Sequence, residues 1–508
     1  MSSQAIAAQA PVTADRPPPH RPDTVLVDGH WERGGGTLEV TNPADGSVVG
    51  TVGWGDAADA RRAADAAARA LHDWSRAPAR RRADILGEGA RLIAERKAAI
   101  GELLAREAGK RLPEAVAEVA FSAEYFRWFA EEARRPHGHL LAPEAAGRRH
   151  LTLRRPAGVV ASLTPWNFPC SIQARKLAPA LAAGCTVVAR VSEKAPLAVT
   201  EMVRCLTDAG VPAGVLNLVH GPARELTEAL LTHPALRVLS FTGSTAVGRD
   251  IMATAARRVV RPLLELGGDA AFTVFDDADV DAAVEGALLA KFRNSGQSCV
   301  AANRFLVQES VYDEFVGKLV DRIDAMSIGD GLADPCPDLG PVIDDDRVQA
   351  LADVVGSALA GGARLLTRQR QLPDAGSYTA PALLGDVPDG TDLACQEVFG
   401  PVAGVFRFRD EQEAVRRAND TEMGLASYVW SRDASRCWRL AEDLQAGIIG
   451  INDPLPSTVF ATMGGVKQSG IGREGGTLGL EEFQDVHYVA WTEQTGPAAA
   501  GTATVRTR

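Results

Sequence analysis

Val159-Val-Ala-Ser-Leu163, Thr186-Val-Val-Ala189, Val215-Leu-Asn-Leu-Val219 and Val238-Leu-Ser-Phe241 are short β-branched runs separated by Ala-rich stretches of helical character. That alternation predicts an α/β fold built on a doubly wound parallel sheet. After Leu266-Gly-Gly268 a second series begins, with Ala271-Phe-Thr-Val-Phe275, Arg304-Phe-Leu-Val307 and Ala426-Ser-Tyr-Val-Trp430 as strands between further helices, which predicts a second α/β domain. Upstream, Gly55 to Arg134 is Ala-rich with Leu, Ile and Phe at helical spacing among Arg and Glu, as in Ala90-Arg-Leu-Ile-Ala-Glu-Arg96, and reads as several amphipathic helices. Pro136-His-Gly-His139 ends that pattern, and the chain contains no internal repeat.

The 508 residues, 46% of them hydrophobic, are enough for two or three domains with substantial cores. A net charge of -11 without a dense Lys/Arg run argues against nucleic acid or an anionic membrane as the main partner, because such binding needs clustered positive charge. Small-molecule chemistry is the better expectation. The seven cysteines form no CxxC pair or repeating spacing, so neither a metal site nor a disulfide framework is expected, and the compartment is read as reducing and cytoplasmic. No apolar stretch approaches the roughly 20 residues that span a bilayer. The segment Met1 to Thr24 is Ala/Pro-rich, without the apolar core of a secretion signal, and is expected to be a flexible tail, as are residues 496–508.

Asn294-Ser-Gly-Gln-Ser-Cys299 places a cysteine after a Gly-containing polar turn, where backbone can wrap closely around a thiolate. An arbitrary cysteine is most often an inert core residue. A nucleophilic one needs donors for the oxyanion that develops when sulfur adds to a carbonyl, and Asn167 in Thr164-Pro-Trp-Asn-Phe-Pro169 is a candidate, in a loop that two prolines stiffen. In Phe241-Thr-Gly-Ser-Thr-Ala-Val-Gly248 a strand ends in a turn whose glycines Gly243 and Gly248 flank a helix start. That suits a diphosphate, although a plain strand-to-helix turn reads the same way. Glu265, taken alone, is an acid preceding a Gly-Gly turn.

Thr164-Pro-Trp-Asn-Phe-Pro169, Phe241-Thr-Gly-Ser-Thr245, Leu264-Glu-Leu-Gly-Gly268, Gly296-Gln-Ser-Cys299, Glu397-Val-Phe-Gly-Pro401 and Gly464-Gly-Val-Lys-Gln-Ser-Gly470 stand in the order of the aldehyde dehydrogenase superfamily. The chain closely resembles that family from about Val27 to Trp491, and its succinic semialdehyde group in particular. The resemblance implies a dinucleotide-binding domain over residues 25–134 and 156–265, a catalytic domain over 266–482, and a small β oligomerisation arm from 135–155 and 483–495 that builds a homodimer or homotetramer. It implies Cys299 as nucleophile, Glu265 as general base, Asn167 with the Cys299 N–H as oxyanion hole, and Lys176 and Glu474 as supporting polar groups. A carboxylate that activates water needs a raised pKa, which partial burial of Glu265 would supply. Its presence argues for hydrolysis of the thioester rather than transfer to coenzyme A.

For the cofactor, the resemblance adds Thr164, Pro165, Trp166, Ser244, Leu266, Glu397 and Phe399 to the two glycines. In Val188-Ala-Arg-Val-Ser-Glu193, Arg190 and Val191 stand where the family usually has Lys-Pro. Glu193 matches the acid that grips the ribose hydroxyls in NAD-preferring members, whereas Arg190 and Ser192 suit a 2′-phosphate, so NAD is favoured and NADP kept open. Arg175, Arg293 and Ser457 match positions that hold a distal carboxylate, and two guanidiniums with a hydroxyl suit a planar anion. The plainer reading of both arginines is structural ion pairing. Asp453-Pro454 and Thr462-Met463 depart from the usual succinic semialdehyde pattern. Another ω-anionic aldehyde, a broad-specificity enzyme and, remotely, a non-catalytic binding protein are the alternatives. Val300 and Ala301 follow the nucleophile, so oxidation is expected to modify Cys299 itself rather than form a loop disulfide.

Overall fold

The computed structural model describes residues 24–135 and 138–493. Both expected flexible tails lie outside the described residues except for Thr24, which is not free: it is 2% exposed, and its hydroxyl accepts from the Gly53 N–H at 2.6 Å. The chain belongs to an α/β class, and the described residues form two large sheets and two small ones.

In the first large sheet, strands Val159–Thr164, Thr186–Val191 and Leu216–Leu218 run outward on one side, and Leu236–Thr242 and Arg261–Glu265 on the other, all in parallel. The short strands Val25–Val27 and Gly470–Ile471 join its two sides antiparallel. Gly470–Ile471 comes from the stretch assigned by sequence to the second domain, so the two halves interlock at this edge. Val159–Thr164 and Thr186–Val191 are buried at every position, as a sheet covered on both faces requires. Helices Ala57–Arg76, Ala79–Glu95, Lys97–Ala108 and Leu112–Glu132 occupy the Ala-rich region. Asp56 starts the first of them with a reciprocal capping box with Asp59.

The second large sheet pairs Ala270–Val274 in parallel with Ala302–Gln308 and Ala426–Trp430, and continues through Val402–Phe408, Ala382–Gly385 and Ile448–Ile451. A third, antiparallel sheet joins Gly138–Leu141, Arg148–Pro156 and Gln484–Thr492 in a register running from Gln484 opposite Pro156 to Thr492 opposite Arg148.

Strand order in the first sheet reverses between Val159–Thr164 and Leu236–Thr242. Loops that leave the carboxyl ends of two such strands diverge, and the crevice between them is where open α/β sheets bind ligands. The Asn167 loop and the Gly243–Ser244 turn leave these two ends.

Candidate active site

Four segments converge here. The first is the loop from Thr164 to Phe168, between a strand and helix Pro169–Ala183. The second is Glu265, the last residue of its strand, with Leu266-Gly-Gly268 behind it. The third is the turn from Asn294 to Cys299, where Asn294 and Ser295 both hold φ of 54° and Gly296 holds 74°. Left-handed backbone at two consecutive non-glycine residues is a strain that must be held by partners. The fourth is Glu397 to Gly400. Packing between the segments is tight: a Cβ on Gly268 would lie 2.2 Å from the Cys299 carbonyl oxygen, and one on Gly296 would lie 2.2 Å from that of Gly400. Only glycine permits either approach.

Cys299 is half-buried, and its thiol is pushed up to about 12 by burial and then by the carboxyls of Glu397 and Glu265, against the opposing charge of Arg175. Glu265 is 3% exposed, and burial, reinforced by the nearby charge of Glu474, holds its carboxyl well above the usual carboxylate range. Its Oε2 is buried without a partner among the described residues. A buried carboxyl with a free lone pair and raised basicity is equipped to take a proton from water. Asn167 is also buried; its Nδ2 donates to the Gln297 carbonyl at 3.1 Å, and its Oδ1 has no partner among the described residues.

Glu474 lies between two cations. Arg175 Nε donates to its Oε2 at 2.6 Å, and the Lys176 ammonium donates to its other oxygen and to Ser240 Oγ at 2.9 Å. Burial would raise the Glu474 carboxyl, but Lys176 and Arg175 together hold it below its ordinary value. Arg175 also contacts Met463 Sδ, at one of the two places where the sequence departs from its group's pattern. Arg293 and Ser457 are brought together instead in a separate small pocket with Ser298, Val300, Tyr428 and Leu455. Of the three expected carboxylate ligands, the structure therefore unites two beside the Cys299 loop and ties the third to Glu474.

The residues expected to meet a dinucleotide lie along the sheet's carboxyl edge. Ser244 caps helix Thr245–Ala256, its side chain accepting from the Val247 N–H, while Gly248 packs so closely on buried Leu266 that a Cβ there would come within 2.5 Å of Leu266 Cδ2. Thr242 Oγ1, just before this turn, is buried and unpartnered among the described residues, a donor open to an incoming ligand. Thr164 is turned inward, its hydroxyl donating to Gln173 Oε1 at 2.8 Å, and Pro165 follows it. The Glu397 carboxyl accepts from the Gly268 N–H at 3.3 Å and is raised to about 7 by burial. The rings of Trp166 and Phe399 meet edge to face at 5.4 Å. At the far end, Arg190 donates to Glu193 Oε2 at 2.6 Å and to the Gly221 carbonyl at 3.1 Å, and Ser192 Oγ accepts from the Lys194 N–H at 3.3 Å. A helix start with bare N–H groups, an acid, an aromatic pair and an orphaned hydroxyl fit a dinucleotide.

Lys110, Glu114, Glu118, Asn294 and Gln297, which the sequence reading gave no role, hold these segments together. The left-handed pair Asn294 and Ser295 ahead of Cys299 is visible only in the backbone.

A cysteine, a basic buried carboxyl and an amide donor at the mouth of a dinucleotide-type sheet define an oxidoreductase that acts on aldehydes. The chain belongs to the aldehyde dehydrogenase family, whose model matches residues 31–489. It is 43% identical over 466 residues to the NADP(+) succinate-semialdehyde dehydrogenase GabD of Escherichia coli (strain K12), covering 91% of this chain and 96% of that one. It is 42% identical over 465 residues to a glutarate-semialdehyde dehydrogenase of Pseudomonas aeruginosa, again covering 91% and 96%. The structure superposes on betaine aldehyde dehydrogenase from Staphylococcus aureus in complex with NAD+ with a TM-score of 0.91 at 33% identity, over 95% of this chain and 97% of that one. Members of this family use NAD or NADP. Among the described residues, no helix is long and apolar enough to cross a membrane.

Proposed function

We propose that this enzyme oxidises a short ω-carboxylate aldehyde, of the succinic semialdehyde type, to the corresponding acid. The observation that carries this reading is the pocket shared by Arg293 and Ser457 next to Ser298 and Val300, the neighbours of Cys299. A guanidinium and a hydroxyl there suit a carboxylate a few carbons from the reacting carbonyl. The substrates named for the Escherichia coli and Pseudomonas relatives, two semialdehydes of dicarboxylic acids, support the same class. Arg175, held by Glu474, is assigned to fixing Glu474 and Lys176 rather than to gripping substrate.

The Cys299 thiol gives up its proton to solvent and the thiolate sulfur bonds to the carbonyl carbon, with the Asn167 amide and the Cys299 N–H holding the oxyanion. When bound, the nicotinamide supplies the acceptor for the hydride that leaves this carbon. Collapse of the oxyanion leaves a Cys299 thioester. Glu265 then takes a proton from water, the hydroxide adds to the acyl carbon, and the carbon–sulfur bond breaks to release the acid and restore Cys299. The first large sheet is assigned to the dinucleotide and the second to the nucleophile. NAD is the favoured acceptor, because the Glu193 carboxylate repels a 2′-phosphate, and NADP is the alternative. The exposed Leu140, Val486, Tyr488 and Trp491 on the three-stranded sheet support a homodimer or homotetramer joined through that arm.

A rate comparison across short aldehydes with carboxylate, sulfonate, phosphate and neutral ends, with both cofactors, tests the assignment. A carboxylate-ended aldehyde should give the highest kcat/KM, and equal rates for hexanal would refute the clamp.

A further inference from the structure

Asn167 offers its side chain to the reaction, but its backbone carbonyl is held from behind. Lys110 Nζ donates to that carbonyl oxygen at 2.9 Å, and Asn294 Nδ2 donates to it at the same distance. Asn294 Nδ2 also reaches the Gln297 carbonyl at 3.2 Å, the oxygen that the Asn167 side chain contacts. Two carbonyls and two amides thus tie the oxyanion loop to the nucleophile turn.

Lys110 is 2% exposed, and its ammonium is paired with Glu118, itself 6% exposed, while lying 4.2 Å from the Phe168 ring centroid. The other oxygen of Glu118 accepts from the N–H groups of Cys170 and Ser171 at 3.0 and 3.2 Å. These are the first free donors of helix Pro169–Ala183, whose own N-cap residue makes no side-chain bond. One helical turn earlier, Glu114 Oε2 accepts from the Asn294 N–H at 3.1 Å. One face of helix Leu112–Glu132 therefore grips both the strained nucleophile turn and the start of the helix that follows Asn167.

We infer that the buried Lys110–Glu118 pair is a positioning device that sets the Asn167 amide against the Cys299 turn. A buried ion pair is weak evidence for stability in itself, since desolvation offsets much of its attraction. This pair, however, directs one partner at the backbone of the Asn167 loop and the other at the start of the helix that follows it, where a displacement of about 1 Å can cost on the order of 100-fold in rate. The inference rests on the role proposed for Asn167, and its test separates the two.

In the full-length enzyme, Lys110→Met should lower kcat for aldehyde oxidation by roughly 10- to 100-fold with little change in KM. The rate of Cys299 alkylation by iodoacetamide should stay at the parent value, since that displacement develops no oxyanion. A merely structural loss would lower both. The double variant Lys110→Met/Asn167→Ala should be no slower than Asn167→Ala, because the brace acts only through that amide. Lys110→Met/Glu118→Gln removes both charges of the pair rather than stranding one, and should fold even if the single variant does not, with the same fall in kcat. Parent-level kcat in either Lys110 variant, an equal fall in alkylation, or losses that multiply with Asn167→Ala would overturn the inference. Parent-level kcat in Asn167→Ala would instead refute the role given to Asn167.

Discussion

Arg175 Nε stands 2.6 Å from Glu474 Oε2, and the Lys176 ammonium holds the other oxygen of the same buried carboxylate. A guanidinium committed in this way, 7% exposed, is a poor free clamp for substrate. Arg293 is therefore expected to carry recognition: Arg293→Ala should lower kcat/KM for succinic semialdehyde by about 100-fold, the worth of about 2–3 kcal/mol for hydrogen bonds to a charged group, and leave hexanal nearly unchanged. Arg175→Ala should instead slow both aldehydes and destabilise the fold by about 3 kcal/mol, because it strips a partner from a buried ion. Steady-state kinetics and thermal unfolding read the two effects, and selective loss in Arg175→Ala would restore the two-arginine clamp.

The raised carboxyl of Glu265 sets a pH dependence. Only its ionised form accepts a proton, so the rate of thioester hydrolysis should fall as pH drops through its raised pKa, at a pH above the about 4.3 of an ordinary glutamate. The same shift has the opposite sign for stability. A carboxyl whose folded pKa lies above its unfolded value makes ionisation costly to the fold, a penalty that grows with pH from the unfolded value up to the folded one and then levels off. Glu265→Gln should therefore lose the acid limb and most of the hydrolysis rate while raising Tm at alkaline pH. Single-turnover pH profiles and unfolding scans check both halves, and a lowered Tm would refute the burial argument.

Cys299, pushed up to about 12, should be a slow thiolate in the free enzyme. Its alkylation rate is expected to climb with pH across the accessible range without levelling near neutrality, and NAD should accelerate it, because a cationic ring favours the thiolate. Mild peroxide should inactivate by oxidising Cys299 with no disulfide formed. Peptide mapping by mass spectrometry checks both, and a plateau near neutral pH or a Cys299 disulfide would count against the assignment.

Glu193 and Arg190 form one ion pair at the end of strand Thr186–Val191 and just past it, where the adenosine end of the dinucleotide is proposed to lie. Glu193→Gln removes the charge that opposes a 2′-phosphate and frees the guanidinium, so the ratio of kcat/KM for NADP over NAD should rise by about ten-fold, the equivalent of about 1.4 kcal/mol. An unchanged ratio would move cofactor selection elsewhere.

The fold was largely legible because its central strands, such as Val159–Thr164 and Thr186–Val191, are buried on both faces and so read as unbroken β-branched runs between Ala-rich helices. Cys299, Glu265 and Asn167 were legible because their local motifs carry the glycines and prolines that the close approaches demand. Gly470–Ile471 was not, since two residues hold no periodicity. Nor was the Arg175–Glu474 pair, whose partners lie 299 positions apart, or the brace from Lys110, Glu114 and Glu118. Those side chains look like any charged helix face until the chain closes on itself.

The most direct measurement is a rapid-quench mass spectrum of Glu265→Gln mixed with succinic semialdehyde and NAD. Trapped enzyme should carry the substrate's acyl group on the peptide containing Cys299, with one equivalent of reduced cofactor formed per site before turnover stalls. Unmodified Cys299 alongside continued turnover at the parent rate would contradict covalent catalysis by this residue and hydrolysis by Glu265.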